Sequence, residues 1–538
     1  VEFNLADLFE SVVDEVGSQI AMVSHGRRLS YAELDARANQ LAHRLSRGGV
    51  EPGSRIGLQL TNGTEYIEAM LACFKIRAVP INVNYRYTSD ELRYLYADAS
   101  LVGLIFDRRF ASVISPALDA VAAQGVLLEV SYEEGACQLG EDYEAALRAQ
   151  APTRGFEPRS ADDLYCVYTG GTTGMPKGVL WRHEDIFFAA MGGGDPISLG
   201  DHITEPEQLA SRVLRPGVRA LALPPFMHAA GHWLAFSNMF GGGTVITTSR
   251  GSFDPKEVWG LVEAEGVNAL VVVGDAMARP LLDLLASEPG RYDLSSLMAI
   301  GSGGAVLSPA TKAQIAHLLP GRIVADLFGS SETGQIGGEA PRDDPFGPPR
   351  LRVNDKTNVL DDELHVVTPG SGDVGHLARG GHVPLGYLGD PEKSAATFVR
   401  AAGQRWALPG DLATVEADGT IVVLGRGSLS INTGGEKVFP DEVEAMLKGH
   451  PDVIDAIVVG VPDERFGERV VALLEPRFER TLDLDTLAAL CHEHLTGYKV
   501  PRQFIIVDKV VRSPSGKPDY PWAKAIAIEV VAPGEPAA

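Results

Sequence analysis

The eleven residues from Tyr168 to Gly178 combine the groups that hold a polyphosphate. They read Tyr168-Thr169-Gly170-Gly171-Thr172-Thr173-Gly174-Met175-Pro176-Lys177-Gly178. Clustered glycines let a backbone approach a polyanion and aim its N–H groups at it. Thr169, Thr172 and Thr173 add hydroxyl donors, and Lys177 adds a positive charge. An idle surface loop can share this composition, so alone the cluster indicates only a polyanion site. It is not a Walker A loop, because Lys177 is followed by Gly178 and not by the Mg²⁺-binding Ser or Thr of that motif.

Further groups follow at intervals. Leu223-Pro224-Pro225-Phe226-Met227-His228 ends in a histidine, a residue that by itself is more often a packing group. Gly301-Ser302-Gly303-Gly304-Ala305 reads as a tight strand-to-helix turn of small residues. Asp326-Leu327-Phe328-Gly329-Ser330-Ser331-Glu332 follows a strand and carries two carboxylates. From Asp411 to Arg426, two β-prone runs flank Asp418-Gly419, the favoured pair for a two-residue type I′ turn. That register sets Asp411 directly opposite Arg426, as an ion pair or as two walls of one site. Ser513-Pro514-Ser515-Gly516-Lys517 reads as a loop whose lysine would by default be solvated.

In this order the segments resemble the acyl-adenylate-forming superfamily of acyl- and aryl-CoA synthetases, peptide-synthetase adenylation domains and beetle luciferases. The family's usual phosphate loop is Tyr-Thr-Ser-Gly-Thr-Thr-Gly-x-Pro-Lys-Gly, from which only Gly170 departs. The resemblance spans essentially the whole chain. It implies ATP binding by Thr169, Gly170, Gly171, Thr172, Thr173, Gly174 and Lys177. Gly303, Gly304 and Ala305 would lie against adenine, Asp326 would accept from its amino group, Phe328 would stack on the ring, and Gly329 and Ser331 would also bind ATP. Glu332 would bind Mg²⁺, Asp411 the ribose hydroxyls and Arg426 the ribose or phosphate. Lys517 would be the catalytic lysine, bridging carboxylate and α-phosphate, with Thr172, Glu332 and His228 also at the reacting centre. His228, Trp233, Gly274, Asp275, Met277, Ser302, Gln335 and Ile336 are expected to line the acyl pocket. Gly434, Gly435 and Lys437 are expected at the CoA channel, and Ser428 at the hinge. At the hinge the chain departs twice: Ser428 and Leu429 stand where the family has Asp or Lys, then Asp.

Met227-His228-Ala229-Ala230-Gly231 lacks the aspartate with which peptide-synthetase adenylation domains hold a substrate ammonium, so an amino acid is not expected. No carrier-domain serine motif follows Lys517, so the acceptor is external, most commonly CoA. The stretches Tyr168–Phe187 and Ile431–Lys437 most resemble actinobacterial fatty-acyl and steroid-side-chain CoA ligases. The implied reaction is ATP-dependent, AMP-forming ligation of a fatty, alicyclic, steroid-type or aryl acid to CoA. A stand-alone adenylating enzyme that loads a carrier protein is one alternative; a non-catalytic nucleotide- or acyl-binding homologue is another.

Helices and strands must position these groups. Ser30–Leu45 spaces Leu34, Ala38, Leu41 and Leu45 as a helix, and Thr88-Ser89-Asp90-Glu91 opens another with a capping box. Apolar runs at Arg55–Leu60, Ala269–Val273 and Ile323–Leu327 read as strands alternating with helices, which implies a largely parallel α/β sheet. Residues 340–351 read as a surface excursion. Beyond Gly427-Ser428 a helix at Pro440–Leu447 and strands at Asp455–Val461 and Arg469–Leu474 suit a small α+β domain. The expected organisation is an N-terminal adenylation domain over 1–426, a hinge at 427–428 and a mobile C-terminal domain over 429–538. At 538 residues two or more domains are needed. The net charge of −24 argues against a nucleic-acid partner. Four scattered cysteines, no bilayer-length apolar run and no signal-like start point to a soluble cytoplasmic protein, with self-association left open.

Overall fold

The structure, a computed structural model, describes all residues except 123–124, 133–136, 171–174, 196–200, 250–252, 306, 341–349, 434–435, 464, 478–479, 481, 513–517 and 531–538. Gly171, Thr172, Thr173, Gly174, Gly434, Gly435 and Lys517 therefore lie outside the described residues, as do most of the 340–351 excursion and the side chain of Ser428.

Among the described residues the strands form four sheets. One is wholly parallel and is built from Val79–Asn82, Arg55–Gln59, Gly103–Asp107, Val126–Val130 and Glu141–Asp142. A larger sheet runs parallel through Ile20–Ser24, Thr244–Ile246, Arg219–Ala222, Ala269–Val272, Ala299–Gly303 and Ile323–Ser330. It then turns antiparallel at Gly334–Glu339 and continues through the Asp411–Arg426 hairpin. Every parallel strand of these sheets but Glu141–Asp142 is preceded by a helix, as the alternating pattern required.

The helix Thr64–Lys75 is buried at every residue, the signature of a central layer rather than a surface helix. It packs in one apolar cluster with helices Leu5–Val16, Tyr31–Arg47 and Ala229–Phe240. Its terminal Lys75 is fully buried, with Nζ 2.5 Å from Glu10 and 2.7 Å from Asp35. Removing one partner of such a buried pair costs about 3–5 kcal/mol, so these charges fix how the layer docks. Both expected helices form with capping boxes, Ser30 with Glu33 and Thr88 with Glu91.

From Ile431 onward the chain builds its own five-stranded sheet, with Val453–Asp463 and Gly467–Pro476 as the central hairpin. The helices Pro440–Lys448, Leu484–His494 and Tyr520–Val530 cover its two faces over separate apolar cores.

The hairpin around Asp418-Gly419 corrects one expectation and keeps its result. Glu416 pairs with Thr420, so the loop holds Ala417, Asp418 and Gly419 rather than two residues. Gly419 closes it at φ +85°, as a three-residue loop with a glycine in the left-handed region does. This shifts Val415, Thr414 and Ala413 onto Ile421, Val422 and Val423. A bulge between Leu412 and Ala413 then restores the register, and Asp411 still faces Arg426.

Candidate active site

Two sheets and the Pro224–His228 segment meet at Asn82. It ends a strand of the parallel sheet, and its buried amide accepts from Tyr168 N at 2.6 Å and donates to Tyr168 O at 2.9 Å. The same nitrogen donates to Met227 O at 2.7 Å. One side chain thus joins the strand that launches the Gly/Thr-rich loop, Leu164–Thr169, to the segment that ends in His228. The loop itself spans two strands, with Thr169 opposite Lys177. The Lys177 ammonium is ion-paired with Asp390, the N-cap of helix Pro391–Thr397. A Cβ at Gly170 would meet nothing nearer than Tyr87 Oη at 3.9 Å, so crowding does not explain the missing serine.

The Pro224–His228 segment is held from two sides. Asn62 accepts from Phe226 N at 2.6 Å and donates to Pro224 O at 3.1 Å. Buried His232 bonds Phe226 O through Nδ1 at 2.7 Å, and Tyr165 Oη through Nε2. A carbonyl only accepts, so Nδ1 carries the proton and Nε2 receives the Tyr165 hydroxyl. Burial pushes the His232 imidazole down to about 4. The folded state therefore favours neutral His232, and that stability is complete above about pH 6.5 and is lost as pH falls toward 4. We expect acidification from pH 7 to 4.5 to lower the melting temperature, with this residue contributing up to about 3 kcal/mol. His232→Gln should flatten that part of the profile; an unchanged slope would show the histidine plays no part in it.

His228 precedes helix Ala229–Phe240 as its N-cap residue and is half-buried. Gly303 lies beside that helix's first turn, where its added Cβ would be 4.0 Å from Ala230 Cβ. Gly304 and Ala305 continue the turn, and Ser302 Oγ donates to Ala305 O at 2.6 Å and accepts from Gly274 N at 2.9 Å. Asp326 is buried beside this web, accepting from Leu307 N at 3.1 Å and pairing with Lys312 Nζ at 2.5 Å. Burial raises its carboxyl above the usual range, against the pull of Lys312.

Glu332 stands at the turn between strands Ile323–Ser330 and Gly334–Glu339. Ser330 N donates to Thr333 Oγ1 at 3.0 Å, and Glu332 N to Ser330 Oγ at 3.2 Å, which fixes the turn. Tyr387 Oη donates to Glu332 Oε1 at 3.0 Å and aims the carboxylate. Ser331 O accepts from Trp181 Nε1 at 3.1 Å, and Phe328 packs half-buried against Ile336 and its neighbours. Arg426 Nε lies 3.8 Å from Asp411 Oδ1. Gly427–Leu429 forms one turn of 3-10 helix, and Lys437 is exposed on the short strand Glu436–Val438.

Among the described residues the eight expected acyl-pocket residues fall in several packing environments. Trp233 is in the central core with its indole donating to Tyr165 Oη at 2.9 Å. Met277 and Ile336 pack in two other apolar clusters, and Gln335 is exposed. Gly274 and Ser302 bond each other, and Asp275 is engaged by Arg279 and Ser308. Strand Ile323–Ser330 exposes Ile323, Ala325 and Leu327, and the parallel register sets Gly301 beside Ala325 and Gly303 beside Leu327. Only the alternation at Ile323–Leu327 could have signalled this face.

Sequence reasoning also missed Asn82, Asn62, Tyr387, Asp390 and Lys312. Asp390-Pro391 is a readable helix start; the others carry no local signal.

The chain belongs to the AMP-binding enzyme family, whose model matches residues 9–388, with the AMP-binding enzyme C-terminal domain matching residues 442–517. It is an enzyme of the AMP-forming acid–thiol ligase class. It is 47% identical over 531 residues to a 3-oxocholest-4-en-26-oate–CoA ligase of Rhodococcus rhodochrous, covering 97% of this chain and 95% of that protein. A medium/long-chain-fatty-acid–CoA/3-oxocholest-4-en-26-oate–CoA ligase of Mycolicibacterium smegmatis is 44% identical, with 98% and 97% covered. The fold is that of an anthranilate CoA ligase solved with anthranoyl-AMP: TM-score 0.84 at 22% identity, with 98% of each chain covered.

Proposed function

We propose that this enzyme activates a bulky apolar carboxylic acid, of the steroid-side-chain or medium- to long-chain fatty class, as acyl-AMP and transfers it to CoA. The exposed face of Ile323, Ala325 and Leu327 carries the substrate assignment. It starts beside Gly303 and runs about 13 Å along the strand, floored by Gly301 and Ala325. Such a strip removes hydrocarbon from water without placing a polar group against it. The names of the two relatives point to the same acids.

In the first half-reaction the acid's carboxylate oxygen bonds to the α-phosphorus of ATP and pyrophosphate departs. Two anions must meet, so the protein's contribution is positioning and charge neutralisation. Lys517 bridges the carboxylate and α-phosphate. Asp411 and Arg426 take the ribose side, and Thr169, Thr172, Thr173 and Lys177 take the triphosphate. For Lys177 this means exchanging Asp390 for phosphate. Glu332 suits Mg²⁺: it is a hard oxygen donor aimed by Tyr387, and Mg²⁺ is commonly held by one or two carboxylates plus substrate phosphates. Mg²⁺ there supplies neutralisation of the β- and γ-phosphate charge. In the second half-reaction the small C-terminal domain turns about Ser428, and Gly434, Gly435 and Lys437 line the path of the CoA thiol. The thiolate attacks the acyl carbon and AMP leaves. All four cysteines are thiols, in keeping with a reducing, cytoplasmic compartment. Among the described residues no helix is long and apolar enough to cross a membrane.

The test is pyrophosphate release across steroid-side-chain, medium-chain, long-chain and aryl acids, with thioester analysed in parallel. The expected result is turnover of steroid and fatty acids with free CoA. Thioester formed only on a phosphopantetheinyl protein, or turnover confined to aryl acids, would overturn the proposal.

A further inference from the structure

Asp275 and Ser302, expected at the acyl pocket, also belong to a polar web that reaches the C-terminal sheet. Asp275 Oδ2 is 2.9 Å from Arg279 Nη2, and its Oδ1 accepts from Ser308 N at 2.9 Å. Arg279 is only 6% exposed, and its Nε and Nη2 also reach Thr311 Oγ1 at 3.2 Å and Ser308 Oγ at 3.3 Å. These partners satisfy one edge of the guanidinium. The remaining nitrogen, Nη1, donates to Val453 O at 3.0 Å, a backbone carbonyl of the C-terminal sheet. Val453 pairs with Pro476 next to a β-bulge, which interrupts the ladder at that point.

The contact has a defined neighbour on each side. Toward the nucleotide, Asp275 follows Gly274, whose N–H is held by Ser302 at the base of the Gly303–Ala305 turn. Toward the C-terminal domain, Asp455 lies two residues beyond Val453 and holds Arg512 at 2.5 and 2.7 Å. Arg512 immediately precedes the Ser513–Lys517 motif. Glu475, across the hairpin from Asp455, feels the Arg279 charge as well. A hydrogen bond from a buried charged donor is among the stronger ones, and this one is lost if either domain turns.

We propose that Arg279 is a positioning residue that docks the C-terminal domain through the Val453 carbonyl and so sets the balance between the two half-reactions. This rests on the domain rotation in the proposed function.

Arg279→Lys keeps a cation on Asp275 but gives up the fork that reaches Val453. Acid-dependent ATP–pyrophosphate exchange and CoA attack on supplied acyl-AMP are measured separately, with Thr311→Val as a control that trims the same web on the N-terminal side only. The expected result is a change of about tenfold in the ratio of the two rates for Arg279→Lys, with Thr311→Val close to wild type. Protease cleavage between residues 427 and 433 should accelerate about fivefold in Arg279→Lys, and this reads docking with no acid present. An unchanged ratio with unchanged cleavage overturns the inference. So does an equal shift in Thr311→Val, because the web and not the interdomain bond would then be responsible. Failure of the wild type to form thioester would refute the function proposed above, while the cleavage rates would still decide the docking role.

Discussion

Lys517→Ala is expected to lower acid-dependent ATP–pyrophosphate exchange by about 100- to 1,000-fold while CoA attack on supplied acyl-AMP keeps close to its wild-type rate. The size follows from the charge problem. A carboxylate approaching an α-phosphate gains most from a cation placed between them, and loss of one preorganised donor of that kind typically costs this much. The second half-reaction starts from an acyl-adenylate already formed, so its barrier does not contain that repulsion. Measuring the halves separately is therefore the informative assay. Equal loss in both would contradict the role given to Lys517 and would point to a general defect of the C-terminal domain.

Asn82→Ala should act on the same half-reaction, by releasing Tyr168 and the proposed phosphate loop from their support. The substitution leaves Tyr168 N, Tyr168 O and Met227 O without the bonds they now make at 2.6, 2.9 and 2.7 Å. Buried groups left unsatisfied cost about 1–3 kcal/mol each, so a clear fall in melting temperature is expected. A loop displaced by an ångström loses about 100-fold in rate, and here that loss should fall on pyrophosphate exchange with a raised KM for ATP. Asn82→Asp offers no rescue, because it sets a carboxylate oxygen against the two carbonyls that the amide now serves. If the variant melts early but its folded fraction exchanges pyrophosphate normally, Asn82 braces the core and does not position the loop.

The Asp411–Arg426 pair shows how far sequence reasoning carries. A two-residue turn at Asp418-Gly419 places the two side chains face to face, and they are so placed. The turn is nevertheless one residue longer, and the bulge at Leu412–Ala413 takes up the difference. Gly425, within the bulged segment, sits at φ +109°, and an added Cβ there would come 2.3 Å from Asp441 Oδ2. Turn chemistry is local and legible. A bulge is set by what packs on the strand, here the first helix of the C-terminal part.

By its sequence alone this protein specified the Gly/Thr-rich segment, the order of its motifs, the capping box at Thr88 and the hairpin that pairs Asp411 with Arg426. Each of these is a contiguous stretch whose residue types and spacing act within a few residues of themselves. Tertiary structure alone decided that Asn82 supports the loop from 86 residues away and Met227 from 145. It also decided that Arg279 reaches Val453 across 174 residues, and that strand Ile323–Ser330 leaves Ile323, Ala325 and Leu327 exposed. A lone asparagine or arginine carries no periodicity; its partner is chosen by which strands lie side by side, and that depends on the burial of every layer at once.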